Sequence, residues 1–132
     1  MITTGVKRLV AAADREVETV SLEDAKALLD DDGVVFVDIR DVRELDREGM
    51  IPGAYHAPRG MLEFWVDPDS PYHKDIFASG KKFVLYCAGA QRSALATKAL
   101  QDMGLKPVAH LERGFGGWKD AGGAIVDRPK RK

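Results

Sequence analysis

Cys87 is the one cysteine in this 132-residue chain, and the residues after it suit nucleophilic attack on an anionic substrate. It heads the run Cys87-Ala88-Gly89-Ala90-Gln91-Arg92-Ser93. A cysteine attacks as its thiolate, so it needs positive surroundings. Small residues let a loop curl until its backbone N–H groups face one point, which makes an anion cradle. Arg92, at the sixth position, adds a fixed planar cation. The same groups should stabilise a thiolate, and the Cys87 pKa is expected below the free value of about 8.5, at roughly 5 to 7.5. A lone cysteine that ends an apolar strand also fits a small buried hydrophobe. The small-residue loop and Arg92 favour the reactive reading.

The flanking elements must hold that loop. Phe83-Val84-Leu85-Tyr86 is an apolar, β-forming run, and Ala94 to Leu100 reads as a helix. A strand therefore ends in a loop that opens a helix, whose N-terminus carries a partial positive charge. His56, His73 and His110 are remote in sequence, so structural or surface roles are expected for all three and no general base is assigned. The Ser93 hydroxyl either bonds within the loop or caps the helix, with capping preferred.

Residues 4 to 16 have the spacing of a short amphipathic helix through Val6, Leu9, Val10 and Ala13, packed on the flank of the rest of the chain. Ser21 is placed as an N-cap with Asp24 three residues on. Val34-Val35-Phe36-Val37 is continuous apolar, as in a strand covered on both faces of a parallel sheet. Val42, Leu45 and Met50 supply a short helical face, and Met61, Leu62, Phe64 and Trp65 another. Val108 to Leu111 is a strand, and Phe115 to Ala121 a short helix. Short apolar strands alternating with helices indicate an α/β fold with a mainly parallel central sheet and helices on both faces. In such sheets ligands bind at the carboxyl ends of the strands, where Cys87 falls. Asp38 should fix turn N–H groups at its strand end, and Arg40 with Glu44 is an i,i+4 ion pair.

The bulk composition narrows the function. The chain is 45% apolar and 31% charged, which suits one soluble domain with a single core. No apolar run is long enough to span a bilayer. One cysteine rules out an internal disulfide, and a cytoplasmic location is expected. Residues 1–66 hold 8 basic and 14 acidic residues, whereas 67–132 hold 12 and 7, so the nucleophile lies in the basic half. Arg128, Lys130, Arg131 and Lys132 read as a solvated basic tail. There is no basic helix and no aromatic–basic interleaving, so neither nucleic acid nor a membrane is an expected partner. Nothing in the sequence calls for a metal or organic cofactor.

Four segments in order resemble the rhodanese-like domains, over about Val20 to Val126. The Cys87-to-Arg92 loop followed by Ser93 is similar to that family's active-site loop. Val37-Asp38-Ile39-Arg40 with Glu44 is similar to its Asp-x-Arg…Glu signature. Gly49-Met50-Ile51-Pro52-Gly53-Ala54 resembles its Gly-His-Ile-Pro-Gly-Ala segment, with Met50 in place of His. Leu111 to Trp118 resembles its Leu-x-Gly-Gly-x-x-x-Trp segment. The resemblance implies a three-layer α/β/α rhodanese-like fold over 18–127, after a helical extension at 1–17 and before the tail at 128–132.

It also implies a thiosulfate sulfurtransferase. Cys87 would take sulfane sulfur from thiosulfate or a persulfide, with Ala88, Gly89, Ala90, Gln91, Arg92 and Ser93 holding the donor. A thiol or cyanide would then accept the sulfur. Many family loops carry a basic residue after the cysteine and a glycine fourth; here those positions are Ala88 and Ala90. The loop is thus nearly uncharged apart from Arg92, which favours a persulfide donor over an oxyanion. Two alternatives stand beside this. One is a persulfide carrier serving a protein partner in a sulfur relay. The other is a phosphatase or arsenate reductase, although related phosphatase loops have one residue more between cysteine and arginine. Trp118 with Gly114 and Gly117 should pack a turn near the site, and Arg59, Phe64 and Trp65 are weaker candidates for the pocket mouth.

Overall fold

The computed structural model describes residues 1–129; Lys130, Arg131 and Lys132 of the basic tail lie outside the described residues. The elements run α1 (Val6–Glu16), β1 (Glu18–Val20), α2 (Leu22–Leu28), β2 (Val34–Asp38), α3 (Val42–Glu48), β3 (Tyr55–His56), α4 (Leu62–Val66), β4 (Lys82–Tyr86), α5 (Gln91–Asp102), β5 (Val108–Leu111) and α6 (Gly114–Asp120). The five strands form one parallel sheet in the order β1-β5-β4-β2-β3. This is the α/β architecture that the alternation of short strands and helices requires.

Strand alternation divides the core into two. On one face Val37, Phe83, Leu85 and Val108 pack with Leu62 and Val66 of α4 and with Ala96 and Leu100 of α5. On the other, Phe36, Val84, Tyr86 and Ala109 pack with Ala25 of α2 and with Phe115 and Trp118 of α6. Both faces of β2 and β4 are therefore covered, which is why their sequences are unbroken apolar runs.

Two expectations about helix faces change. The residues that seat α1 on α5 are Ala13 and, in part, Val10, while Val6 and Leu9 remain exposed. Gln101 Nε2 ties the end of α1 by donating to Glu16 O at 3.0 Å. Met50 lies beyond α3 and forms an antiparallel bridge with Val126 instead of extending a helical face.

A buried ion pair joins the strand ends. Arg40 is fully buried, and its Nε and Nη2 donate to Asp38 at 3.0 and 2.7 Å. Nη2 also donates to Gly49 O at 2.8 Å, and the guanidinium lies 4.2 Å from the Phe115 ring centroid. Asp38 does fix a turn: it accepts the Arg40 backbone N–H at 3.0 Å. Burial opposes the Arg40 charge, but the Asp38 hydrogen bonds and field lead the contacts that outweigh it, so its pKa is raised. Arg40 is thus partnered by Asp38 and, at 3.5 Å, by Glu48; Glu44 makes its ion pair elsewhere. Removing one member of a buried pair leaves the other charge uncompensated. Arg40→Met should cost about 3–5 kcal/mol of stability, read as a lower urea midpoint at unchanged slope.

Candidate active site

Cys87 continues the alternation of β4. Phe83, Leu85 and Cys87 face the α5 side, and Cys87 is only 1% exposed. Two backbone bonds from the start of α6 hold the loop. Phe115 N–H donates to Cys87 O at 2.7 Å, and Gly116 N–H to Ala88 O at 3.0 Å. Gly114 permits this close approach. It has φ +60°, and a Cβ there would stand 2.6 Å from Cys87 O. Trp118 anchors the far side of the same turn, donating Nε1–H to Ala124 O at 2.8 Å.

The chain then turns through Ala88 and Gly89, both exposed, to Ala90, the N-cap of α5. Ala90 is left-handed, with φ 72° and ψ 1°. A Cβ in that region crowds the backbone, which explains why a glycine would be at ease there. Among the described residues, the N–H groups of Ala88, Gly89, Ala90, Gln91 and Arg92 have no protein acceptor, whereas Ser93 N–H donates to Cys87 Sγ at 3.3 Å. The loop thus joins a run of unanswered donors to a buried sulfur, at the N-terminus of a twelve-residue helix.

Arg92 is paired. Its Nη1 and Nη2 donate to Glu44 Oε1 and Oε2 at 2.8 and 3.0 Å, a bidentate contact between α5 and α3. The Glu44 hydrogen bond is the main cause of a raised Arg92 pKa, and the Arg92 hydrogen bond the main cause of a lowered Glu44 pKa.

Ser93 does not cap α5. Its hydroxyl is buried, 3.6 Å from Cys87 Sγ and 2.9 Å from His110 Nδ1. His110 Nε2 lies 3.2 Å from Asp14 Oδ1 and 3.3 Å from Thr19 Oγ1. Sequence distance hid His110: only the pairing of β5 beside β4, with Leu85 opposite His110, brings it to the loop. The pattern that could have exposed it is the strand order. For Asp14 on α1 no sequence signal exists.

The remaining candidates have partners of their own, and Trp65 packs against the core cluster that contains Cys87. His56 Nε2 contacts Arg40 O at 2.8 Å, and His73 is 3.8 Å from Asp75. Arg59 pairs with Glu63 at 2.6 Å. Trp65 packs on Tyr55 and Lys74, and Phe64 on Tyr72. Among the described residues no helix is long and apolar enough to cross a membrane. None of their His, Cys, Asp and Glu side chains form a group of three or more that could hold a metal ion.

The family model described as the rhodanese-like domain matches residues 21–121. The chain belongs to this family. Its rhodanese-like fold is shared by a Pseudomonas aeruginosa thiosulfate sulfurtransferase, 30% identical, with a TM-score of 0.72 over 93% of this chain and 22% of that one. A polysulfide-sulfur transferase homodimer from Wolinella succinogenes is also 30% identical, with a TM-score of 0.69 over 92% and 87% of the two chains. A Rhodopseudomonas palustris protein of unknown function, described as a possible tyrosine phosphatase, is 58% identical, with a TM-score of 0.93 over 96% and 97%. An uncharacterized Synechocystis protein is 34% identical over 79% of this chain, which spans about half (53%) of that relative's length.

This geometry sets two expected outcomes. Ala90→Gly relieves a left-handed Cβ that costs about 1–2 kcal/mol, against a smaller glycine entropy cost, and should raise stability by about 0.5–1 kcal/mol in urea unfolding. Glu44→Gln keeps an acceptor for Asp41 N–H but removes the charge facing Arg92. Because the folded Glu44 pKa is lowered, its contribution is present above the unfolded carboxyl value of about 4.3 and is lost as pH falls through the folded value. The stability gap between wild type and Glu44→Gln should therefore be full at neutral pH and close in acid.

Proposed function

We propose that this rhodanese-like domain is a sulfurtransferase that works through a Cys87 persulfide. The observation that carries the reading is a buried Cys87 Sγ that opens a loop whose N–H groups have no protein acceptor, with Ser93 N–H already directed at the sulfur. The related sulfur transferases of Pseudomonas aeruginosa and Wolinella succinogenes support it.

In the first step the Cys87 thiolate attacks the sulfane sulfur of thiosulfate or of a persulfide donor. The new Sγ–S bond forms as the donor's S–S bond breaks, and sulfite or a thiolate leaves with the electron pair. The outer sulfur is then anionic, and the N–H groups of Ala88 to Ser93 with Arg92 hold it. In the second step a thiol or cyanide attacks the outer sulfur, and the Cys87 thiolate departs. The kinetics are ping-pong, as for other covalent intermediates. Partners are a small sulfur donor and a thiophilic acceptor, or a second protein in a relay if the domain acts as a carrier; we place it in the cytoplasm.

One observation favours a second reading: the Rhodopseudomonas palustris structure at 58% identity is described as a possible tyrosine phosphatase. Four residues separate Cys87 from Arg92, one fewer than in related phosphatase loops, and Arg92 is shared with Glu44. Both features suit a single transferred sulfur atom better than a phosphoryl group.

Intact mass after mixing with thiosulfate separates the readings. Wild type should gain one sulfur atom that cyanide removes, and Cys87→Ser should gain none. Arg92→Ala should slow loading about tenfold or more, the worth of one charge-assisted contact. No gain from thiosulfate or from a low-molecular-weight persulfide, together with Cys87-dependent hydrolysis of p-nitrophenyl phosphate, would replace sulfur transfer with phosphatase activity.

A further inference from the structure

Asp14, His110, Ser93 and Cys87 form one line of polar contacts, and the sulfur-transfer steps use only the last two. The separations are 3.2 Å from Asp14 Oδ1 to His110 Nε2, 2.9 Å from His110 Nδ1 to Ser93 Oγ, and 3.6 Å from Ser93 Oγ to Cys87 Sγ. Cys87, Ser93 and His110 are buried, whereas the Asp14 side chain is about half exposed.

Donor and acceptor rules give this line a direction. His110 Nε2 makes its hydrogen bond with Thr19 Oγ1 at 3.3 Å, and the Asp14 carboxylate, which only accepts, stands 3.2 Å from the same nitrogen, so its charge favours a hydrogen on Nε2. In the neutral ring Nδ1 then only accepts, and it takes the Ser93 hydroxyl proton. Ser93 Oγ is left with lone pairs toward Cys87, which suits a thiol. A thiolate needs the opposite order: Ser93 donates to Sγ, Nδ1–H donates to Ser93 Oγ, and the ring is an imidazolium. Passing between the two states moves the Sγ proton to Ser93 Oγ and the Ser93 proton to His110 Nδ1. No proton enters or leaves.

The groups facing His110 are Asp14 from α1, Thr19 from β1 and Ser93 from α5, with Cys87 beyond it. Asp14 is the charged one. Burial holds the ring below the usual imidazole range, and Asp14 opposes that push. We infer that Asp14 and His110 are positioning residues that set the charge state of Cys87 through the Ser93 hydroxyl. Asp14 stabilises the imidazolium that accompanies the thiolate. The inference rests on the reading of Cys87 as the nucleophile.

The test tracks the ultraviolet absorbance of the Cys87 thiolate against pH, with Cys87→Ser subtracted. It uses no sulfur donor, so it succeeds or fails independently of the thiosulfate experiment. Asp14→Asn should move the thiolate midpoint up by about one pH unit, a roughly tenfold smaller thiolate fraction below the midpoint. Asp14→Glu should recover most of that shift. Glu16→Gln, which alters the α1–α5 contact with Lys98 without facing His110, should keep the wild-type midpoint. A coincident midpoint for Asp14→Asn, or an equal shift in Glu16→Gln, overturns the inference. If Asp14→Asn does not fold, His110→Gln is decisive: an upward shift supports the inference, and an unchanged midpoint overturns it.

Discussion

A guanidinium with no exposure depends on partners for its charge, and Arg40 draws them from several elements at once, with Nη1 left to a 3.5 Å ion-pair contact with Glu48. Asp38 supplies a carboxylate from the end of β2, Gly49 a carbonyl from beyond α3, and Phe115 an aromatic face from α6. Phe115 is also the residue whose N–H clasps Cys87 O. The buried charge therefore fixes the three segments that surround the loop, and the loop is only as well placed as that charge is paired. Tyr86 completes the arrangement, with its ring 5.7 Å from the Arg40 guanidinium and its hydroxyl accepting Ile51 N–H at 3.1 Å.

The electrostatics of the mouth differ from those of a simple cationic clamp. Glu44 holds Arg92 in a two-point contact, so the guanidinium is oriented and its charge is partly answered before any ligand arrives. Backbone N–H groups then supply much of the remaining positive potential. They cannot swing away as a side chain can, and they need no reorganisation as charge moves along a sulfur–sulfur bond.

Local pattern was legible in the sequence, and contacts across elements were not. The apolar runs of β2 and β4, the loop after Cys87 and the helix after the loop all follow from residue types within a few positions of one another. Arg40 with Glu44 satisfied the i,i+4 rule, yet Arg40 found a nearer carboxylate on its own strand end and left Glu44 to Arg92. Ser93 had the chemistry of a cap, but it falls inside α5 because Ala90 takes the capping position, and its hydroxyl turns inward to His110. Val6 and Leu9 had the spacing of a buried stripe; α5 covers the part of α1 around Ala13 and leaves those two to solvent. Each difference arises where tertiary placement outweighs a local preference.

The match to the family begins at residue 21, but the polar line that ends on Cys87 begins on α1, seven residues before that boundary, and passes Thr19 on β1. The span of the family model and the set of residues that surrounds the sulfur in this chain therefore have different edges. A rhodanese-like domain trimmed to its recognised limits would keep the loop, the arginine and the strand that presents them. It would lack the carboxylate that this chain sets 3.2 Å from His110. On the inferred role of Asp14, the reactivity of the loop in this chain would depend on a helix that precedes the family's recognised span.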